Sequence, residues 1–126
     1  MYSKFTLVGR LGQEPQMRYT SNGIPVTNFS IAVNSSWTDS DGQHQEETTW
    51  FKVTCWRKQA EICSQYLKKG SQVLVEGANM SVEAWIDAEK NAQASMVLTP
   101  RRVIFLSPKG EDVEATADEE LWEATE

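Results

Sequence analysis

Hydrophobic and polar positions alternate in several short segments of this chain, which is the pattern of strands with one buried face. The clearest case is residues 26–33, where Phe29, Ile31 and Val33 alternate with smaller or polar residues. The predicted strands are residues 4–11, 26–33, 48–56, 71–76, 82–86 and 94–106, the last with a break at Pro100. Turn-forming residues separate these segments. The pattern therefore predicts a β-rich domain.

One segment has the four-residue spacing of a helix instead. Within residues 58–69, Ile62 and Cys63 each have an apolar partner four positions later, and Gly70 follows as a C-cap. The polar residues 35–47 predict a long mobile loop. Three strands, one helix and at least two further strands predict an all-β fold, a five-stranded OB-fold Greek-key barrel with one inserted helix.

The strand at residues 48–56 has two different faces. One face carries Phe51, Val53 and Cys55, an ordinary core set. The other face carries Trp50, Lys52, Thr54 and Trp56. Exposed aromatic rings beside a cation are typical of surfaces that stack nucleic-acid bases and contact phosphates.

Two further tryptophans are predicted to lie at solvent-exposed positions. Trp37 lies at the edge of the polar loop. Trp85 faces outward if Val82, Ala84 and Ile86 point inward, and its polar neighbours are then acidic. The alternative for any of these tryptophans is a place in the core or in a subunit interface. An exposed aromatic face also suits a protein partner, so the pattern alone predicts a binding face without identifying its ligand.

The net charge of −6 and the pI near 4.8 first argue against a polyanionic ligand. The charge is unevenly placed, however. Residues 1–110 contain all 12 basic and 10 acidic side chains, while residues 111–126 contain 8 acidic and no basic ones. The charge distribution therefore predicts a folded, mildly basic OB-fold domain over residues 1–109 and an acidic, disordered tail over residues 110–126.

Other classes of protein find little support in the sequence. There is no apolar run of about 18 residues or more and no secretory signal, so the expected location is cytoplasmic, without membrane contact. Cys55, Cys63 and the single His44 lack zinc-ligand spacing, so the cysteines are predicted to be reduced packing groups and no metal or cofactor is expected. No catalytic motif is present, and the protein is predicted not to be an enzyme.

Several motifs resemble those of the bacterial single-stranded DNA-binding proteins, over about residues 3–106. The matching segments are VGRLGQEP (8–15), FSIAV (29–33), TWF (49–51), WRKQAE (56–61), YLKKGSQV (66–73) and VEG (75–77). The resemblance implies an OB fold, assembly into a homotetramer, and sequence-independent binding and protection of single-stranded DNA in replication, recombination and repair.

The resemblance also implies roles for individual side chains. The positions that match the stacking aromatics of the family are Trp37, Trp50, Trp56 and Trp85. The basic positions that match its phosphate contacts are Lys52, Lys58, Lys69 and Arg18. For each lysine, the alternative is an ordinary solvated position on the surface.

The chain departs from the family pattern in two places. The arm that leads to Trp85 is normally basic, but here it includes Glu83 and is one residue longer after Gly77. The acidic tail lacks the usual Pro-Phe tip and carries Leu121 and Trp122 instead, which we expect either to dock on replication or repair proteins or to be part of a disordered solubilising tail. The alternative function is an OB-fold protein-interaction module, primosome-like or a paralogue, with weak DNA binding.

Overall fold

Nine strands and one helix form in the part of the chain that the structure, a computed structural model, describes: residues 2–106 and the backbone of residues 114–116. In chain order they are β1 (Phe5–Leu11), β2 (Gln16–Tyr19), β3 (Pro25–Thr38), β4 (His44–Trp56), α1 (Arg57–Tyr66), β5 (Gln72–Gly77), β6 (Asn79–Ile86), β7 (Ala92–Thr99), β8 (Arg102–Phe105) and β9 (Glu114–Thr116). The strand order in the sheet is β6-β7-β4-β3-β1-β5-β8-β9, and β2 pairs with β3.

The two ends of this sheet are brought together by one bent strand. β7 pairs in parallel with β4, and β8 pairs antiparallel with β5, while only Pro100 and Arg101 separate β7 from β8. Proline has no amide hydrogen for the ladder, so the break falls where the sequence predicts it. Five strand positions, β1, β3, β4, β5 and β7/β8, with α1 inserted after the third, make the predicted OB fold, and this prediction is confirmed. β2, β6 and β9 are additional strands.

The core consists of the inward residues of the barrel strands and one face of α1. Fully buried aliphatic residues come from β3, β4, β5 and β8, namely Ile31, Val53, Val73, Val75 and Val103. From α1, Ala60 and Cys63 pack onto this cluster, and the Thr27 hydroxyl donates to the Ala60 carbonyl at 2.7 Å. Burial of each such aliphatic side chain contributes about 1.5–3 kcal/mol to folding.

The helix is shorter than the sequence predicts. It ends at Tyr66, and Leu67 is already in extended conformation, with its N–H donating to the Cys63 carbonyl. Leu67 turns into the core and is buried, which ends the helix early, whereas Tyr66 remains half exposed. Gly70 adopts a positive φ of 88° in the following turn rather than capping the helix directly.

The prediction of a long loop over residues 35–47 is wrong. β3 and β4 remain paired out to Thr38 and His44, so only residues 39–43 form the turn. Both faces of this extension are exposed, and cross-strand polar contacts such as Thr48 Oγ1 to Asn34 Oδ1 at 2.7 Å support it. The polar composition therefore indicates a solvated hairpin and not the absence of strands.

The prediction that alternate β6 residues point inward is also wrong. Val82 and Ile86 are 65% and 73% exposed. β6 pairs with β7 along its whole length, but β7 joins the barrel only through Met96–Leu98 on β4, so most of this hairpin projects into solvent. Its apolar face therefore has no core to pack against among the residues that the structure describes.

Both cysteines are free and buried, as predicted, with their sulfur atoms 3.9 Å apart. Burial raises the pKa of the Cys55 thiol, and the neighbouring Cys63 raises it further, so neither the nucleophilic thiolate nor a metal ligand is favoured there. Among the described residues, no cluster of three or more His, Cys, Asp or Glu side chains could hold a metal ion. Nor is any helix in that part of the chain long and apolar enough to cross a membrane.

Candidate nucleic-acid interface

The predicted two-faced strand is present in the structure as the second half of β4. Val53 and Cys55 are fully buried, while Trp50 and Trp56 on the opposite face are 52% and 43% exposed. Lys52 lies between the two tryptophans and is also exposed. We call the outer surface formed by Trp50, Lys52, Thr54 and Trp56 the aromatic face.

Trp50 lies against the backbone of Gly12, just after β1. A Cβ atom at position 12 would be 2.5 Å from Trp50 Cζ3 and 2.7 Å from Cη2, so only glycine leaves room for the ring. The Gly12 N–H donates to the Ser30 carbonyl at 3.1 Å, which fixes this backbone beside β3. One part of the indole is therefore supported by the protein, and the rest is open to solvent.

Trp85 joins the aromatic face through the pairing of β4, β7 and β6. Lys52 is opposite Val97 on β7, and Val97 is opposite Ser81 on β6, so every second residue of β6 from Ser81 to Trp85 is on the same side as Lys52. The Lys52 ammonium lies 4.8 Å from the centroid of the Trp85 ring, within cation–π range. The neighbours of Trp85 along its own strand are acidic, as the sequence shows, but the structure gives it a basic neighbour from another strand.

The same ammonium group also meets an acidic partner. Lys52 Nζ lies 3.6 Å from Glu83 Oε2, and both side chains are about half exposed to solvent. Glu83 is two residues before Trp85 and therefore lies on the same side of β6. Lys52 is thus held between a carboxylate and an indole ring from one strand.

Trp37 is not part of the aromatic face. The β3–β4 register is continuous, with Trp50 opposite Ala32 and Trp37 opposite Gln45. Trp37 lies an odd number of residues after Ala32, so its side chain leaves the opposite side of the β3–β4 ribbon. It is 47% exposed near the end of the β3–β4 hairpin. The structure therefore brings three of the four candidate tryptophans onto one surface and leaves the fourth on another.

Trp37 and Trp85 nevertheless occupy equivalent places in two similar turns. Each lies two residues before an aspartate, Asp39 in the β3–β4 turn and Asp87 in the β6–β7 turn. Each aspartate accepts hydrogen bonds from two backbone N–H groups of its own turn and from a glutamine side chain. The glutamine is the residue directly across the ladder from the tryptophan.

These hydrogen bonds stabilise the charged form of both aspartates. The backbone N–H of Gln43, followed by the side-chain amide of Gln45, lowers the pKa of Asp39 below its ordinary value. The corresponding donors that lower the pKa of Asp87 are the backbone N–H of Asn91 and the side chain of Gln93. Both turns are therefore organised around an ionised carboxylate at neutral pH, next to a tryptophan.

An open cleft of about 390 Å³ lies beside Lys52 on the aromatic side of the sheet. Arg18 on β2 and Lys52 on β4 both line it, as do Asn28 and Thr54, whose side chains are hydrogen-bonded at 3.0 Å. The carboxylates of Glu14 and Glu83 line it too. The cleft therefore combines cations with hydrogen-bonding groups, and its net charge is close to neutral.

The two remaining basic candidates do not line this cleft. Lys58 is exposed in the first turn of α1, two residues after Trp56, in a turn that contains no acidic residue. Lys69 is exposed after the helix, where its backbone N–H donates to Glu14 Oε1 at 3.2 Å. The tail candidates Leu121 and Trp122 lie outside the described residues.

Comparison with known proteins identifies the family of this fold and surface. Residues 2–106 match the model of the single-strand binding protein family. The chain belongs to this family. That span includes the whole barrel, both projecting hairpins and all four candidate tryptophans.

Curated proteins similar to this member of the family come from several bacteria. The single-stranded DNA-binding protein of Caldanaerobacter subterraneus is 38% identical over 126 residues, which cover 100% of this chain and 82% of the relative. Single-stranded DNA-binding protein 1 of Chlorobaculum tepidum is 38% identical over 111 residues, 86% of this chain and 68% of the relative. The Neisseria meningitidis serogroup A protein is 51% identical over 75 residues, 60% of this chain and only 43% of that relative.

Two solved structures share the fold. One is a Plasmodium falciparum SSB in complex with single-stranded DNA, with a TM-score of 0.73 and 25% identity, covering 85% of this chain and 97% of that one. The other is a small single-stranded DNA-binding protein from Streptomyces coelicolor, with a TM-score of 0.68 and 24% identity, covering 81% and 92% of the two chains. The second likeness is one of fold alone.

Reasoning from the sequence missed two residues of the interface. In the sequence Glu83 indicates only a loss of positive charge, but in the structure it contacts Lys52 from two strands away. Gly12 was included only in a motif, although it makes room for Trp50. The similarity of the two turns was visible in the sequence, because a tryptophan, an aspartate and a glutamine recur at the same spacing around Asp39 and Asp87.

Proposed function

We propose that this protein binds and protects single-stranded DNA without sequence preference, in replication, recombination and repair, and that it is not an enzyme. The observation that carries the proposal is the aromatic face, where Trp50, Trp56 and Trp85 surround Lys52 on one exposed surface. Membership of the single-strand binding protein family supports it. So does the likeness to a Plasmodium falciparum SSB in complex with single-stranded DNA.

The residues of this surface have distinct roles in the proposal. Trp50, Trp56 and Trp85 stack bases, while Lys52 and Arg18 contact phosphates from the cleft between them. Lys58 and Lys69 extend the basic contacts beside α1. Trp37 stacks a base on the other side of the β3–β4 hairpin, which requires the DNA strand to pass around that hairpin.

The preference for single strands follows from what an indole ring can reach. Bases in a duplex already stack on one another and show only their edges, whereas unpaired bases offer a π-face. Each base stacked on an aromatic ring contributes about 1–3 kcal/mol, whatever its identity. A few such contacts outweigh the small net charge of the cleft.

The intrinsic fluorescence of the tryptophans tests the proposal directly. Titration with oligo(dT) at low salt is expected to quench the emission strongly, because the four exposed indoles of the proposal stack on bases. A matched duplex of the same length should quench little, and added salt should weaken the binding of the single strand. Unchanged emission at saturating oligo(dT), or equal quenching by the duplex, would contradict the proposed function.

One observation favours the second candidate, an OB-fold interaction module with weak DNA binding. Glu83 already partners Lys52, so the interface offers less free positive charge to a phosphate than Lys52 alone would. The same titration separates the two functions, because an interaction module would show little quenching by any oligonucleotide.

Assembly into a homotetramer is the second part of the proposal. Dihedral tetramers need two different two-fold interfaces, and within residues 2–106 two apolar surfaces outside the aromatic face are at least partly exposed. One is the outer face of β6, with Val82 and Ile86. The other is a cross-strand row on the far side of the barrel, where Val8 is opposite Leu74 and Leu74 is opposite Ile104.

Light scattering tests this assembly. The protein is expected to have the mass of four chains, and Val8→Asp is expected to lower it because it places a charge on the exposed end residue of the cross-strand row. Ser36→Asp, which adds the same charge to the exposed β3–β4 hairpin, is the control and should keep the tetramer. A monomeric wild-type protein, or equal masses for both variants, would contradict the role of this row.

The acidic tail and the cellular location stay predictions from the sequence. Residues 110–126, with Leu121 and Trp122, are proposed to dock on replication or repair proteins, and cytoplasmic residence is proposed with them. The backbone of β9, Glu114–Thr116, pairs with β8 inside this segment, and the rest of it lies outside the described residues. The boundary between the DNA-binding domain at residues 1–109 and the tail likewise stays a prediction.

A further inference from the structure

Lys52 is the cation of the aromatic face, and its ammonium group contacts two side chains of β6. Its ammonium lies 3.6 Å from the Glu83 carboxylate and 4.8 Å from the centroid of the Trp85 ring. Both partners come from β6, which reaches Lys52 across β7. In the free protein, therefore, the position at Lys52 where a phosphate would bind already has an anionic neighbour.

This ion pair is of the kind that another anion can replace. The side chains of Lys52 and Glu83 are 48% and 59% exposed, so water and salt screen their attraction. Their separation of 3.6 Å is also longer than that of a charge-assisted hydrogen bond. A phosphate carried by a strand whose base stacks on Trp85 has the additional stacking energy with which to displace the carboxylate.

We propose that Glu83 competes with the DNA phosphate for Lys52, so that DNA binding exchanges the Glu83–Lys52 pair for a phosphate–Lys52 pair. The proposal rests on the proposed function and adds the electrostatic control of its interface. Glu83 lowers the share of affinity that comes from charge and leaves more of it to base stacking.

The exchange has a consequence for the salt dependence of binding. Each phosphate neutralised by a protein cation releases condensed counterions, which lowers the slope of log K against log salt by about 0.7 for a single strand. When the phosphate takes Lys52, the freed Glu83 carboxylate attracts a cation from solution, which offsets that release. Lys52 therefore adds little to the slope while Glu83 is charged.

The variant Glu83→Gln tests this competition, because it removes the charge and keeps the size of the side chain. It is expected to bind oligo(dT) about two- to fivefold more tightly at low salt, the range of a screened surface ion pair. Its salt slope is expected to be steeper by about 0.7. Both quantities come from fluorescence titrations of the full chain at several salt concentrations.

Two comparisons test whether the effect of Glu83→Gln depends on Lys52. Glu89→Gln removes the same charge from the tip of the same hairpin, and it should change the affinity less and leave the slope unaltered. In a Lys52→Gln background, Glu83→Gln should give no more than the effect of Glu89→Gln.

The possible outcomes separate this proposal from the proposed function. A wild-type protein that does not bind oligo(dT) contradicts the function itself, before any variant is compared. If the wild type binds, equal effects of Glu83→Gln and Glu89→Gln would show only general charge repulsion and overturn the competition. Weaker binding by Glu83→Gln would overturn it too, because Glu83 would then support the interface.

Discussion

Alanine at Trp50 or at Trp56 is expected to weaken the binding of oligo(dT) by about 1–3 kcal/mol each, with little change in thermal stability. Both rings are about half exposed on β4, while their neighbours Val53 and Cys55 form the core on the other side of the strand. Removal of either ring therefore takes away a stacking surface and leaves the core intact.

The measurement is a fluorescence or anisotropy titration with labelled oligo(dT), paired with a thermal melt followed by circular dichroism. Tyr2→Ala is the matched control, because Tyr2 is an exposed aromatic residue outside the aromatic face. It should change neither quantity. Trp50→Ala or Trp56→Ala could instead unfold the protein or dissociate its assembly while the control does not. These rings would then belong to the core or to a subunit interface, which is the alternative to a binding face.

The orientation of these tryptophans could be predicted because it depends on one strand alone. Once residues 48–56 are taken as a strand, the apolar Val53 and Cys55 must face the core, and the period of two turns Trp50 and Trp56 outward. The break at Pro100 could be predicted for a similar local reason. Features that follow from residues close together in the sequence could therefore be predicted.

The contacts of the interface could not be predicted because they depend on which strands meet. Lys52 and Glu83 belong to β4 and β6, and only the insertion of β7 between them brings the two charges together. The side of the ribbon on which Trp37 lies depends on β3 and β4 continuing, without a bulge, through a polar segment that looked like a loop. β6 shows the opposite error, because the alternation of Val82, Ala84 and Ile86 indicates a buried face although the strand projects into solvent.

The aromatic face consequently depends on residues that neither stack bases nor contact phosphates in the proposal. Glycine is required at position 12 because the Trp50 ring occupies the space that a side chain would take. The ring is the far end of a partly exposed side chain, so it can move aside. The site can therefore lose its geometry without the protein losing its fold.

Gly12→Ala is for this reason expected to weaken the binding of oligo(dT) by an amount approaching that of Trp50→Ala, about 1–3 kcal/mol. The new methyl group would lie 2.5 Å from Trp50 Cζ3 and must displace the indole from its place on the surface. The melting temperature should change little. Affinity and thermal melts are measured as for the tryptophan variants.

Two comparisons test whether Gly12→Ala weakens binding by displacing the Trp50 ring. One is a second glycine variant, and the other is a double-mutant cycle. Gly9→Ala places its methyl 2.6 Å from the backbone oxygen of Ala32, which cannot move aside, so this variant should lose stability. In a Trp50→Ala background, Gly12→Ala should cause no further loss of affinity, because the ring that it displaces is already gone. Additive losses in that background, or a fall in melting temperature like that of Gly9→Ala, would mean that Gly12 supports the barrel and not the stacking ring.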